Sequence, residues 1–234
     1  MRSSDSSVGV CAIILAAGIG SRMKSDITKQ QMNILGRSVL YHSVMAFEAC
    51  DSVDSMVVVV RSDEMDFARR ELASFSKPCV IVPGGETRRE SARIGFDAVP
   101  EGTALVAIHD AARPLITPAA ISAVIDAARI SGAATAVSRV IDTVKRVDDT
   151  GYIVETVARE SLRRAETPQV FSADLYRRAI EKCESVDDIT DDNMMLENIG
   201  IKVMCVETAC ENIKITVPDD AAYAEFVLRR RSGL

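Results

Sequence analysis

Paired cysteines are missing from this chain. Its six cysteines, at positions 11, 50, 79, 183, 205 and 210, form no C-x-x-C pair and have no histidine close by. That spacing excludes a zinc site, and it does not suit a disulfide framework in a chain this long. Buried free thiols are expected instead, as at Cys11 in the run Cys11-Ala12-Ile13-Ile14-Leu15. An excess of positive charge is also missing: 28 Lys and Arg stand against 34 Asp and Glu, a formal net charge of −6. A general nucleic-acid binder needs a basic footprint, so that class is excluded, although a few local cations could still hold a small polyanion. No apolar run approaches the length of a membrane span. The opening Met1-Arg2-Ser3-Ser4-Asp5-Ser6-Ser7 lacks the apolar stretch of a secretory leader. With unpaired thiols this makes a reducing cytoplasm the expected location. Internal repeats and low-complexity tracts are absent as well.

What is present suits a folded protein. Hydrophobic residues make up 47% and charged residues 26%, enough apolar material for a buried core. Short β-branched runs alternate with longer amphipathic stretches, which predicts strands and helices around a largely parallel sheet. Strands are expected at Val8 to Leu15, Met56 to Val60, Val80 to Val82, Ala104 to Ile108 and Ala134 to Val140. Their continuous apolar character predicts a sheet covered on both faces, hence a three-layer, Rossmann-like α/β architecture in one domain over residues 1–234. Thr117-Pro118 gives a capping hydroxyl and a first-turn proline to a helix that Gly132 ends. Pro218-Asp219-Asp220 opens a last helix, with acids at its positive end and Arg229-Arg230-Arg231 at its negative end. One segment breaks the rhythm: 143–147 and 152–156 flank Asp148-Asp149-Thr150-Gly151, a hairpin signal inside residues 140–160. An edge flap and an arm reaching a partner remain equally open.

The first strand runs into Ala16-Ala17-Gly18-Ile19-Gly20-Ser21-Arg22-Met23. A glycine-rich turn at the carboxyl end of a first strand is where α/β sheets bind nucleotides. Met23 fits neither the third glycine of a dinucleotide fingerprint nor a P-loop. The cations Arg22 and Lys29 follow on the same loop; taken alone, both would be solvated surface charges. Likewise Asp110 and Arg113 alone would be an ion pair closing a strand end. His42 and His109 are expected to be structural, Thr190-Asp191-Asp192 to cap a helix, and Met194-Met195 to fill core.

In order along the chain, further motifs join that loop: Lys29-Gln30, Gly84-Gly85-Glu86-Thr87-Arg88-Arg89-Glu90-Ser91, His109-Asp110-Ala111-Ala112-Arg113-Pro114, Asp142-Thr143, Arg159, Thr167-Pro168-Gln169, Thr190-Asp191 and Asn212-Ile213-Lys214-Ile215-Thr216. From the first strand to the last helix the series resembles the 2-C-methyl-D-erythritol 4-phosphate cytidylyltransferases. The resemblance implies a nucleotidyltransferase fold with the hairpin as an arm. It implies a reaction in which CTP and methylerythritol phosphate give the cytidine diphosphate product and pyrophosphate, in non-mevalonate isoprenoid synthesis. It further implies Mg²⁺ held mainly by the CTP phosphates, with no protein residue assigned as a metal ligand, and a homodimer. By motif position, Arg22 and Lys29 would clamp the α-phosphate, and Arg159 and Lys214 would hold the incoming phosphate. Thr143, Asp110, Arg113 and Thr167 would surround the polyol, and Ala16, Ala17, Gly18, Gly85, Glu86 and Ser91 would read cytidine.

The chain departs from the family pattern at three places. Thr28 stands where proline usually precedes the lysine, which predicts a looser loop. Ala158 replaces an acid common before Arg159, and Glu166 sits where glutamine is frequent. The rival readings are a ribitol 5-phosphate cytidylyltransferase, a non-catalytic nucleotide-binding module and an NAD-dependent dehydrogenase. Ala16-Ala17 and Ala111-Ala112 favour the methylerythritol group over its ribitol sister. The four cations together speak against a silent module, and Met23 speaks against the dehydrogenase.

Overall fold

The computed structural model describes residues 9–18, 28–183, 189–208 and 211–233. In chain order the strands are β1 (Val10–Leu15), β2 (Asn33–Ile34), β3 (Arg37–Ser38), β4 (Ser55–Val60), β5 (Cys79–Pro83), β6 (Leu105–Asp110), β7 (Ala133–Arg139), β8 (Val144–Val147), β9 (Ile153–Val157), β10 (Arg163–Ser172) and β11 (Met204–Glu207). The helices are α1 (Val39–Glu48), α2 (Met65–Glu71), α3 (Arg88–Asp97), α4 (Pro118–Ser131), α5 (Ala173–Lys182), α6 (Asp192–Asn198) and α7 (Pro218–Ser232). Seven strands form one sheet in the order β11-β7-β10-β6-β1-β4-β5. Pairing is parallel except for β10, which runs antiparallel to both β6 and β7.

The expected mostly parallel α/β sheet is therefore present. All of β1 and β6 is buried, as the apolar runs Val10–Leu15 and Leu105 to Ile108 require of strands covered on both faces; His109 and Asp110 are the polar end of β6. Alternate residues supply opposite faces. Ala12, Ile14, Val58 and Ala107 pack with Leu40, Phe47, Ile121 and Val124 from α1 and α4. Cys11, Ile13, Val57 and Ile108 pack with Phe96, Tyr176, Met195 and Leu196 from α3, α5 and α6. Helix α3 approaches the sheet closely because Gly95 has no side chain there. A Cβ on it would meet Ile13 Cγ2 at 2.5 Å and Val59 Cγ2 at 2.9 Å. A smaller apolar cluster of Ile34, Val39, Leu115, Ile215 and Val227 seats α7.

The predicted caps hold. Thr117 accepts from the Ala120 amide, Pro118 opens α4, and Gly132 closes it at φ 79°. At α7, Asp220 in the first turn reaches back to accept from the amides of Thr216 and Val217, the residues that lead into the helix. Asp191 caps α6 through the Met194 amide. Strands β10 and β11 were not anticipated. The predicted hairpin exists as β8 and β9, a separate two-stranded sheet turned by Asp148 and Gly151. Its Val147, Tyr152, Ile153 and Val154 are exposed. Cys11, Cys50 and Cys183 are buried free thiols as expected, whereas Cys205 is exposed. Cys210 lies outside the described residues.

Candidate active site

The loops leaving β1, β5 and β6 converge at the carboxyl ends of the parallel strands, the usual position for a ligand in such sheets. There a cavity of about 340 Å³ is lined by Leu15, Ala17, Gly18, Lys29, Gln30, Gly85, Glu86, Thr87, Arg88, Ser91, Asp110, Ala112 and Lys214. A second cavity, of about 210 Å³, is lined by Arg88, Asp110, Arg113, Ala165, Glu166, Thr167, Gln169, Thr190, Asp191 and Lys214. Arg88, Asp110 and Lys214 belong to both.

Asp110 is the electrostatic centre. Its Oδ2 accepts from Lys214 Nζ at 2.7 Å, and its Oδ1 from Arg88 Nε at 3.3 Å. Burial alone would raise the pKa of this carboxyl. The charges of Arg88 and Lys214 more than offset that and hold it well below the ordinary aspartate range. Arg88 reaches on to Asp192 at 2.7 Å, and the buried Tyr176 hydroxyl donates to the other Asp192 oxygen at 2.7 Å. Burial would lower the Arg88 pKa, but Asp192 and Asp110 raise it, so the guanidinium stays charged. One arginine thus ties the first turn of α3 to the end of β6 and the start of α6.

Arg113 does not close an ion pair with Asp110. Its Nη1 donates to the Asn212 carbonyl at 2.7 Å, and Asn212 Nδ2 in turn donates to Glu166 and to the Thr167 carbonyl. Both histidines hold structure. His42 Nε2 meets the Ile34 carbonyl at 2.7 Å. His109 is fully buried, which depresses its pKa to about 4, so it is neutral near pH 7. The Arg113 carbonyl can only accept, so His109 Nε2 carries the proton. Nδ1 then accepts from the Thr167 hydroxyl, which itself accepts from the Asp110 amide at 3.1 Å. The Thr167 hydroxyl is thus held between His109 and the Asp110 amide, and Thr167 lines the second cavity.

Most of the sequence-predicted residues converge here. Ala17, Gly18, Lys29, Gly85, Glu86 and Ser91 line the larger cavity, Arg113 and Thr167 the smaller, and Asp110 and Lys214 both. Ala16 lines neither: its amide donates to the Val59 carbonyl and its side chain is in the core. Thr143 and Arg159 line neither cavity; Thr143 is exposed, and so is Arg159, which donates to the Ile141 carbonyl beside the hairpin. Arg22 lies outside the described residues. Sequence reasoning missed the bridging role of Arg88, although it stands inside a quoted motif, and the partnership of Asp192 with it. Among the described residues no group of three or more His, Cys, Asp or Glu could hold a metal ion. Asp110 is the hard oxygen donor at the junction of the cavities.

Residues 10–230 match the family model described as IspD, 2-C-methyl-D-erythritol 4-phosphate cytidylyltransferase. The chain belongs to this family. The cytidylyltransferase of that name from Pelotomaculum thermopropionicum is 40% identical over 231 residues, covering 96% of each chain. Its namesake from Desulforamulus reducens is 39% identical, over 95% of this chain and 97% of the other. Among solved structures, 4-diphosphocytidyl-2C-methyl-D-erythritol synthase from Anaerococcus prevotii superposes with a TM-score of 0.87 at 29% identity, covering 96% and 97% of the two chains. The Francisella tularensis cytidylyltransferase gives 0.77 at 31% identity, over 93% and 99%. The family read from the motifs is thus the family found, and these relatives carry the methylerythritol name rather than the ribitol one. Membership makes this chain a nucleotidyltransferase of the α/β type. Among the described residues no helix is long and apolar enough to cross a membrane.

Proposed function

We propose that this chain joins CTP to 2-C-methyl-D-erythritol 4-phosphate, releasing pyrophosphate, in the cytoplasm. One observation carries the reading: two adjoining cavities share the charged set Arg88, Asp110 and Lys214. Two anionic substrates meeting at one phosphorus call for that layout. The nucleotide occupies the larger cavity, read by Ala17, Gly18, Gly85, Glu86 and Ser91, which line it, whereas Ala16 only supports the turn from the core. The polyol phosphate occupies the smaller one, among Asp110, Arg113 and Thr167, with Thr143 brought to it by a neighbouring copy.

A phosphate monoester is largely a dianion at pH 7, its second pKa being about 6, so its oxygen needs no base. That oxygen bonds to the α-phosphorus as the bond to the bridging oxygen of pyrophosphate breaks. The protein's task is to align the reactants and to stabilise crowding negative charge. Arg22 and Lys29 serve the α-phosphate. Lys214 and Arg159 hold the incoming phosphate, and Asp110 aims Lys214. Bound with CTP, a magnesium ion would add charge neutralisation at the phosphates. Asp110 suits a role at its hydration shell, since Oδ1 has its cation partner at 3.3 Å and keeps accepting capacity.

We further read residues 1–234 as one domain and residues 140–160 as an arm packed on a second copy. A lone two-stranded hairpin is only marginally stable, and this one exposes Val147, Tyr152, Ile153 and Val154. Packing on a two-fold partner would cover them and bring Thr143 and Arg159 to the neighbouring site. The test of the activity is a pyrophosphate-release assay crossing CTP, UTP and ATP with a panel of polyol phosphates. Turnover with CTP and methylerythritol phosphate, dependent on Mg²⁺, is expected. Faster turnover with ribitol 5-phosphate would overturn the substrate assignment.

A further inference from the structure

Glu64 ends a single 3-10 turn, Ser62–Glu64, after β4, and is only 3% exposed. A carboxylate so buried must be partnered. Its Oε1 accepts from the Thr28 hydroxyl at 2.5 Å and from Gln31 Nε2 at 3.1 Å, reaching across 36 and 33 residues. These two partners bracket Lys29 and Gln30, both of which line the larger cavity.

The bracketed piece cannot hold its own shape. It is a three-residue 3-10 helix, Lys29–Gln31, whose N-cap Thr28 makes no side-chain capping bond. So short a helix has no cooperative stability. The Thr28 hydroxyl, which could have capped it, is given to Glu64 instead. Thr28 sits at φ −72°, within the range a proline would enforce, so the backbone a proline would take is kept at this position. The turn is held at both ends from outside rather than loosened by the threonine.

We infer that Glu64 is a positioning residue for Lys29: its carboxylate clasps Thr28 and Gln31, and so fixes where the lysine between them presents its charge to the nucleotide. This rests on the proposed action of Lys29 on the α-phosphate. Glu64 touches no substrate and acts through the turn alone.

The test uses the full-length enzyme with two readouts. Hydrogen exchange reads the clasp: the amides of Gln31 and Met32, which donate to Thr28 and Lys29 carbonyls, should exchange faster in Glu64→Ala while Val58 in β4 stays protected. Kinetics read the consequence. Misplacement near 1 Å can cost about a hundredfold, so kcat should fall by about tenfold to a hundredfold in Glu64→Ala. KM for CTP should move by less than about threefold, because the loss falls in the transition state. Glu64→Gln keeps an acceptor oxygen and should recover most of the loss. Thr28→Val, which leaves Glu64 in place, should reproduce part of it even if Glu64→Ala folds poorly. In the Lys29→Ala background Glu64→Ala should cost little more, because the two act as a unit. Full additivity, or unchanged exchange at Gln31 and Met32, would overturn the inference. A Lys29→Ala enzyme with normal kcat would instead overturn the role given to Lys29, and the exchange result would still decide the clasp.

Discussion

Lys214 Nζ stands 2.7 Å from Asp110 Oδ2, joining residues 104 apart in sequence. The other oxygen of the same carboxylate meets Arg88. A single acid therefore fixes the end of β6, the first turn of α3 and the segment ahead of α7, and the two cavities meet around it.

Asp110→Asn should destabilise the protein at neutral pH by about 1–3 kcal/mol, since two cations lose their charged acceptor. The pH dependence has a definite sign. The folded pKa lies below the unfolded value of about 3.9, so the contribution is complete above that value and is lost as pH falls below it. Urea unfolding of the two proteins should thus differ at pH 7 and converge on acidification below pH about 4. A constant gap down to acid pH would show that the ion pairs contribute nothing.

Lys29→Ala and Arg22→Ala should each lower kcat on the order of 10²–10³-fold, as loss of one transition-state contact commonly does. KM for CTP should change far less, because charge accumulates on the α-phosphate mainly in the transition state. Steady-state assays at saturating methylerythritol phosphate check this. A defect confined to KM would reassign these cations to ground-state binding.

Gly84→Ala should damage nucleotide binding more than folding. A Cβ there would lie 2.4 Å from Ala17 Cβ and 2.8 Å from Ser91 Oγ, both on the wall of the larger cavity. Overpacking costs about 1–3 kcal/mol. If the wall yields, KM for CTP rises by about tenfold, the equivalent of some 1.4 kcal/mol. Calorimetry beside kinetics separates the outcomes: a fall in Tm beyond about 10 °C with normal KM would place the strain in the core instead.

Arg159 lines neither cavity of its own chain, which makes the crossed arm testable by complementation. Lys29→Ala and Arg159→Ala chains are unfolded and refolded together. If the arm serves the neighbouring site, each hybrid dimer holds one doubly damaged site and one intact site, and activity returns on mixing. If Arg159 serves its own chain, every hybrid site carries one lesion and mixing restores nothing. The second outcome, with hybrid dimers shown to be present, rejects the exchange.

Local information was enough for much of the fold. The β-branched runs of β1, β4, β6 and β7 announced the sheet, and Thr117, Gly132 and Pro218 marked the ends of α4 and the start of α7, because strand pattern and capping depend on residues a few positions apart. The motif series likewise identified most of the residues that line the cavities. Strand β10 escaped because its first half, Arg163-Arg164-Ala165-Glu166-Thr167-Pro168, is polar and carries a proline, and its pairing with β7 shifts register between Ala165 and Gln169. Its buried polar groups are tolerable only because distant partners meet them: Asn212 bonds Glu166, His109 bonds Thr167, and Asp191 bonds Gln169. The same holds for the ion pairs. Arg88 could be read as a member of a motif, but its choice of Asp110 and Asp192 over solvent exists only once β6 and α6 stand beside α3. Glu64 gave no local sign of holding the Lys29 turn. Sequence fixes which groups are charged and which segments prefer extended or helical backbone; burial decides which charges must find each other, and burial is a property of the assembled sheet and helices.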